Sequence, residues 1–475
     1  MGCLLLKTST LQKKMAQKLT EGQKLKIRDM LRQGVESKAI AESLGVTSGQ
    51  VAAISAHVTM GSYDKGQTKT DFDLAEDEPQ SSNILSNFEQ IEPQISDKVS
   101  SGILLGENIE TGDDDYWNPF PESGSTNPHA LIVGESGVGK TETIRSIVTE
   151  LAQKGINSII FDYGQGFSLD DAPPEFLEYA RPIEILASKN GVNINPLQLF
   201  PFDINGPLNV AQRVADTFQR VYSQIGVQQH AVLRQAVIEL LANSKINAQN
   251  EETWKNAPPW FEGLQRQLEL LANDTDNPQR RIAANVLSHI STVFVFNTFR
   301  EGGNKLTWKD MVEADGKVFI IQLKGLENSL ERVVTEFLLW NFIGYIESIG
   351  PDQLKCFTVL DEAHKLAFDA GSPVEKLLRE GRKFGVGLVL ASQQPEDFSS
   401  VAFSNTATKM IFQVADEDSK ISRQISRKLR GGHSFEEIRN TITKLPRGIS
   451  YVVSENIGYI TKIKKICDRG KVWSS

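Results

Sequence analysis

The chain is poor in cysteine, carries no excess of positive charge and lacks any long apolar run, and each shortage removes a class of function. Its 475 residues include three cysteines, Cys3, Cys356 and Cys467, far apart and without metal-ligand spacing. They cannot form a disulfide framework or a zinc site, which fits a reducing compartment, so a cytoplasmic location is expected. Lysine and arginine number 51 against 60 acids, a net charge of −9. Nucleic-acid contact is therefore confined to a patch, a loop set or a pore lining. No stretch reaches the ~18 consecutive apolar residues of a membrane span; Phe337 to Ile346 is short and interrupted by Asn341. No membrane partner is expected. Gly2 and Cys3 hint at a lipidated start, but Leu6 stands where the myristoylation pattern needs Ser or Thr.

A chain of this length has room for roughly three domains, or one large domain with appendages. Residues 11 to 38 carry eight basic side chains against three acids, whereas residues 70 to 97 carry eight acids and no base. That reversal marks a boundary. We place a small module at 1–60, an acidic flexible linker at 61–101 and the main domain at 102–475.

In the first module Ile27, Met30 and Leu31 give one helical face, Gly34 ends it, and Ile40-Ala41, Leu44-Gly45-Val46 and Val51 follow. This run resembles the helix-turn-helix of DNA-binding regulators: Ala41 allows close helix contact, Gly45 supplies the turn, and Ile40, Leu44 and Val51 pin one helix on the other. Thr47, Ser48 and Gln50 would then open the recognition helix and reach phosphates or base edges. The plainer alternative is a three-helix module that docks a partner or a neighbouring subunit. On either reading the module adds affinity rather than chemistry.

From Gly102 onward short apolar strands alternate with amphipathic helices, the pattern of an α/β domain on a parallel sheet. Strands are expected at Ala130 to Val133, Ser158 to Phe161, Val318 to Leu323, Phe357 to Leu360 and Val386 to Leu390. Between the second and third lies a helical stretch, about 196–304, too long for one crossover and read as an insertion. Ile449 to Val453 and Tyr459 to Ile463 suggest a closing hairpin through Glu455-Asn456.

The sharpest chemical signal is Gly134-Glu135-Ser136-Gly137-Val138-Gly139-Lys140-Thr141, followed by Glu142. It matches G-x-x-x-x-G-K-S/T and lies between a strand and a helix, as a phosphate loop requires. Its glycines let backbone N–H groups turn inward toward phosphate oxygens beside the positive helix end. Lys140 would hold the β- and γ-phosphates of ATP, and the Thr141 hydroxyl would ligate Mg2+. A second signal is Phe357-Thr-Val-Leu-Asp361-Glu362, an apolar strand ending in two acids. Asp361 suits Mg2+, and Glu362 suits polarising the attacking water. The third is the apolar strand ending Ser392-Gln393-Gln394, whose amides would sense the γ-phosphate or place the water. Just before it, Arg379-Glu-Gly-Arg382-Lys383 forms a cationic cluster at a helix end, where interaction with the helix dipole is the plainer reading.

Together these features resemble the HerA/FtsK superfamily of RecA-like DNA-pumping ATPases, more its HerA branch. The resemblance rests on Asn127-Pro-His129 leading into the phosphate loop, Asp162, Asn195-Pro196-Leu197, Leu360-Asp-Glu-Ala-His364 and the block from Arg379 to Pro395. It implies a RecA-like domain spanning about Gly102 to Lys464 that hydrolyses ATP with Mg2+. It also implies a homo-oligomeric, typically hexameric ring that moves double-stranded DNA, and a partner effector such as a nuclease in DNA processing or antiviral defence. The subunit-bridging arginine of the family matches Arg382. Two features depart from the pattern: Gly102 to Pro121 is too short for the β-barrel that often opens HerA chains, and the membrane segments of the FtsK branch are missing. Three functions follow as expectations, a DNA motor, an ATP-dependent scaffold that activates a partner enzyme, and an ATP-gated DNA-binding regulator.

Overall fold

The computed structural model describes residues 102–120, 127–304, 307–393, 398, 400–414, 420–429, 433–454 and 457–473, with 26–27, 30, 37–44, 46 and 51 near the start. Two compact units are present, Met1–Glu92 and Pro93–Ser475. In the first, a helix spans Ser37–Leu44, and Ile27, Ile40, Ala41 and Val51 are buried together with Met30, Leu44 and Val46 packed on them. Thr47, Ser48 and Gln50 lie outside the described residues, as does the whole of the linker 61–101.

The second unit is built on one sheet. Its strands are β1 (Ile103–Asn108), β2 (Asp114–Trp117), β3 (Ala130–Val133), β4 (Asn157–Asp162), β5 (Ile183–Leu186), β6 (Val318–Gln322), β7 (Asp352–Leu360), β8 (Phe384–Ser392), β9 (Thr408–Ile411), β10 (Ile449–Ser454) and β11 (Ile457–Ile463). They lie in the order β2-β1-β11-β10-β9-β3-β8-β7-β4-β6-β5. The seven from β9 to β5 pair in parallel, and the rest add an antiparallel flank. This is a RecA-like α/β architecture.

The five expected strands and the hairpin are present, with β7 and β8 longer at their starts. Strands β1, β2, β5 and β9 were not foreseen. The segment from Gly102 that is too short for a barrel instead continues the sheet, because β1 pairs with β11. Successive residues of each central strand enter opposite cores, as a two-sided sheet requires. Leu131, Val133, Ile159, Phe161 and Ile321 face one layer; Ala130, Ile132, Ile160 and Ile320 face the other with Ile144, Ile147, Val148 and Leu151 of the helix Lys140–Gln153.

The insertion follows β5 and holds helices Pro207–Val221, Val227–Asn243, Glu262–Asn273 and Arg280–Val295. Asn195 opens it by accepting from Leu197 N at 3.0 Å and donating to Pro259 O at 2.9 Å. Phe218, Phe261 and Phe299 gather around Phe337 of the long helix Asn328–Ile349, with ring centroids 5.5 to 5.7 Å from it. Edge-to-face aromatic packing of this kind adds to the area each ring buries.

The C-terminal helix Ile466–Trp473 is fastened by Arg469, only 1% exposed. Its guanidinium donates to the carbonyls of Leu104, Leu105 and Lys464 and meets Glu150 Oε1 at 3.3 Å. Replacing Arg469 by Met strands the largely buried Glu150 carboxylate and three carbonyls. Breaking a buried pair in this way costs about 3–5 kcal/mol, a loss that denaturant unfolding of Arg469→Met should register.

Candidate active site

The parallel strands end on one side, and β3, β8, β7 and β4 deliver the chemistry there. After β3 the chain cannot run straight: a Cβ at Gly134 would stand 2.6 Å from Phe412 Cβ, and Gly137 and Gly139 take φ of 77° and 123°. Only glycine adopts such angles without strain. The loop is tied to neighbouring elements by Glu135 N to Gln413 O at 2.9 Å and Gly448 N to Val138 O at 2.9 Å. Ser136 is exposed and Thr141 half-buried. Glu142 turns its carboxylate away, accepting from Ile466 N at 3.0 Å and lying 3.8 Å from Arg145.

Lys140 is buried, and its ammonium donates to Gly134 O and Glu135 O, both at 2.8 Å. Burial lowers its pKa, while Glu362, Asp361 and Glu135 pull it back up. The ammonium thus bridges the loop's own carbonyls, and phosphate oxygens are stronger acceptors for it.

β4 ends at Asp162, which is fully buried. Its carboxylate accepts from Gly164 N and Phe167 N at 2.9 Å each and from Gln322 Nε2 at 3.0 Å. This folds the loop after β4 over the nucleotide side, where Arg145 donates to Gly166 O. A Cβ at Gly166 would stand within 4 Å of both Thr141 Oγ1 and Asp361 Oδ2. A hydroxyl and a carboxylate so placed, oxygen donors around one small space, fit Mg2+ held partly through water.

Asp361 and Glu362 follow β7. Burial first, then Glu362 and Asp162, push the Asp361 carboxyl up to about 7, against the pull of Lys140. Glu362 sits at φ 54° and ψ 45°, a left-handed conformation that is costly for a residue carrying a Cβ and collects at functional sites. Its Oε1 accepts from Gln393 Nε2 at 2.9 Å. Its Oε2 has no hydrogen bond and lies 3.1 Å from His364 Nδ1. A carboxylate on a strained backbone, with one oxygen held by Gln393 and the other buried beside the His364 imidazole without a hydrogen bond, keeps an acceptor oxygen for a proton. Gln394 lies outside the described residues. Sequence reading assigned no role to Gly166, Arg145 or Gln322, whose partners are distant in the chain.

Arg382 stands elsewhere. It precedes β8, so the length of a nine-residue strand, about 30 Å at 3.3 Å per residue, separates it from Gln393. It is exposed and makes no hydrogen bond or ion pair among the described residues, while Arg379 pairs with Glu375 of its own helix. Both arginines stand in the last turn of a helical segment, Arg379 of Pro373–Glu380 and Arg382 of Gly381–Lys383. Arg379, Arg382 and Lys383 line a cavity of about 550 Å3 with Pro119, Pro128, Asp352, Gln353 and Leu354. Beneath it His129 is buried, its Nδ1 accepting from Leu388 N at 3.0 Å, and burial lowers its pKa to about 4.

A carboxyl whose folded pKa exceeds its unfolded value keeps its proton longer in the folded state. Without cation or nucleotide, stability should therefore fall as pH rises from about 4 to 7 and stay low above that. Asp361→Asn removes this loss. Thermal denaturation in EDTA should show the variant more stable than the parent at pH 8, by up to about 4 kcal/mol, with little difference at pH 4.5.

The family model for the central domain of helicase HerA matches residues 125–342. The DNA double-strand break repair helicase HerA of Sulfolobus acidocaldarius is 24% identical over 399 residues, 79% of this chain and 71% of the relative. Among solved structures, VirB4 of Thermoanaerobacter pseudethanolicus superposes with a TM-score of 0.60 at 19% identity, covering 77% of this chain and 96% of that one. The plasmid coupling protein TrwB in complex with ADP and Mg2+ gives a TM-score of 0.50 at 14% identity, over 78% and 91%.

Proposed function

We propose that the chain is a P-loop ATPase of the HerA/FtsK type that works with ATP and Mg2+, and that it is the repeating subunit of a ring, most naturally a hexamer, that hydrolyses ATP to drive double-stranded DNA through its centre. Its setting on this reading is DNA processing or antiviral defence beside a partner effector such as a nuclease. The Sulfolobus relative is a DNA double-strand break repair helicase.

The observation that carries the reading is the separation of Arg382 from the nucleotide side of its own subunit. An exposed, unpaired guanidinium at the far end of β8 cannot reach the phosphates held by Gly134 to Thr141 in the same chain. On this reading it serves those of a neighbour, and a ring makes every subunit both donor and acceptor of that arginine.

Within one subunit the roles divide as follows. Lys140 exchanges its two loop carbonyls for the β- and γ-phosphate oxygens, and the loop N–H groups take the remaining charge. Thr141 and Asp361 hold the cation. When bound, Mg2+ neutralises charge between the β- and γ-phosphates. Glu362 takes up a proton from the attacking water through Oε2, the oxygen without a hydrogen bond, and Gln393 fixes the other. Thr47, Ser48 and Gln50 remain candidates for a DNA contact in the N-terminal module.

Glu362→Gln keeps the side chain's shape but cannot accept the proton. It should bind ATP and Mg2+ like the parent and turn over about 10²–10⁴-fold more slowly, whereas Lys140→Ala should lose turnover through uncompensated phosphate charge. Steady-state hydrolysis together with nucleotide binding separates the two, and a Glu362→Gln protein at the parental rate would remove Glu362 from its role.

Arg382→Ala should bind ATP and hydrolyse it about 10³–10⁵-fold more slowly. Mixing it with Glu362→Gln creates interfaces in which an intact Glu362 faces an intact Arg382 from the next subunit. Partial recovery of hydrolysis is expected. Exchange of subunits confirmed by labelling, with no recovery at any ratio, contradicts a role across the boundary.

A further inference from the structure

We infer that Glu331 and Lys365 are positioning residues for Glu362, a partly buried ion pair that holds the strained turn carrying the catalytic carboxylate. The inference rests on the reading of Glu362 as the proton acceptor. The turn Ala363–Lys365 begins directly after Glu362 and closes with Lys365 N on Glu362 O and Leu366 N on Ala363 O, both at 3.0 Å. Beside them the backbone of Glu362 donates only to Asp361 Oδ1, at 3.0 Å, and such local bonds are a weak hold on a residue at φ 54°, since a left-handed residue persists only where its surroundings over-determine it.

The surroundings here are specific. Lys365 Nζ meets Glu331 Oε2 at 2.6 Å, and Glu331 is 4% exposed on the first turn of the helix Asn328–Ile349. The same ammonium lies 4.9 Å from the ring centroid of Tyr163, the residue after Asp162. Tyr163 Oη donates to Thr335 Oγ1 at 2.8 Å, and Thr335 Oγ1 donates to Glu331 O at 2.8 Å. One turn further along, Glu336 pairs with Arg220 of the insertion at 2.9 Å, so the helix that carries Glu331 is itself anchored. Lys365 therefore ties the turn after β7 to a fixed helix and to the end of β4. Neither Lys365 nor Glu331 is bonded to the phosphate loop, so their influence on hydrolysis passes through the backbone of Glu362.

A buried pair broken on one side leaves an uncompensated charge, so Glu331→Gln and Lys365→Met are tested beside the doubly neutral Glu331→Gln/Lys365→Met protein, which lacks the tie without an orphan charge. In the full-length protein the double variant should keep its KM for ATP within about twofold and lose between tenfold and a hundredfold in kcat, the cost of a small misplacement of a reacting group. Hydrogen exchange of residues 361–366 in the nucleotide-free protein should quicken in the same variant. Added to Glu362→Gln, the double substitution should slow hydrolysis no further, because the group it positions is already gone. Parental kcat and parental exchange in the folded double variant would overturn the inference, as would an equal loss of kcat in the Glu362→Gln background. If Glu362→Gln alone hydrolyses at the parental rate, the reading of Glu362 fails first and the inference with it, a result distinct from a silent double variant.

Discussion

Parallel strands have their carboxyl ends on the same side, and here β3, β8, β7 and β4 lie adjacent in that order. The phosphate loop, Gln393, the Asp361-Glu362 pair and Asp162 are consequently brought together by register rather than by any one long loop. Open α/β sheets collect ligand sites at such edges. The same register sends the starts of β7 and β8 to the opposite side, where Asp352, Arg382 and Lys383 stand.

Collecting acids at one edge has an electrostatic cost before anything binds. Asp162, Asp361 and Glu362 repel one another, and Lys140 offsets them only in part. A divalent cation together with polyphosphate supplies the charges that this edge and the loop each lack. The nucleotide side is thus unfavourable for ionised carboxylates on their own and well matched to a bound salt of ATP.

Much of this was legible in the chain. The phosphate loop and both long apolar strands are contiguous, so spacing and run length sufficed, whereas the bond from Gln393 to Glu362 appears only once the two strands are neighbours in the sheet. Strands β5 and β9 were not legible: IEIL and TKMI are four residues each, and a glutamate and a lysine interrupt their apolar character. Pairing with β6 and β3 makes them strands. β1 and β2 were hidden by Gly106 and by Asp114-Asp115 for the same reason. The supporting contacts of the site, Arg145 on Gly166, Gln322 on Asp162 and Glu331 on Lys365, join residues 21 to 160 positions apart, and no local pattern announces a pair of that kind.

The central claim is that one subunit holds the nucleotide and the next completes the chemistry. Specific ATPase activity measured against protein concentration, from well below to well above the assembly transition in the presence of Mg2+, tests it directly. The account predicts activity per subunit that is near zero in the dilute monomer and climbs to a plateau as rings form. Full activity per subunit in a protein shown to be monomeric at the same concentration would contradict it.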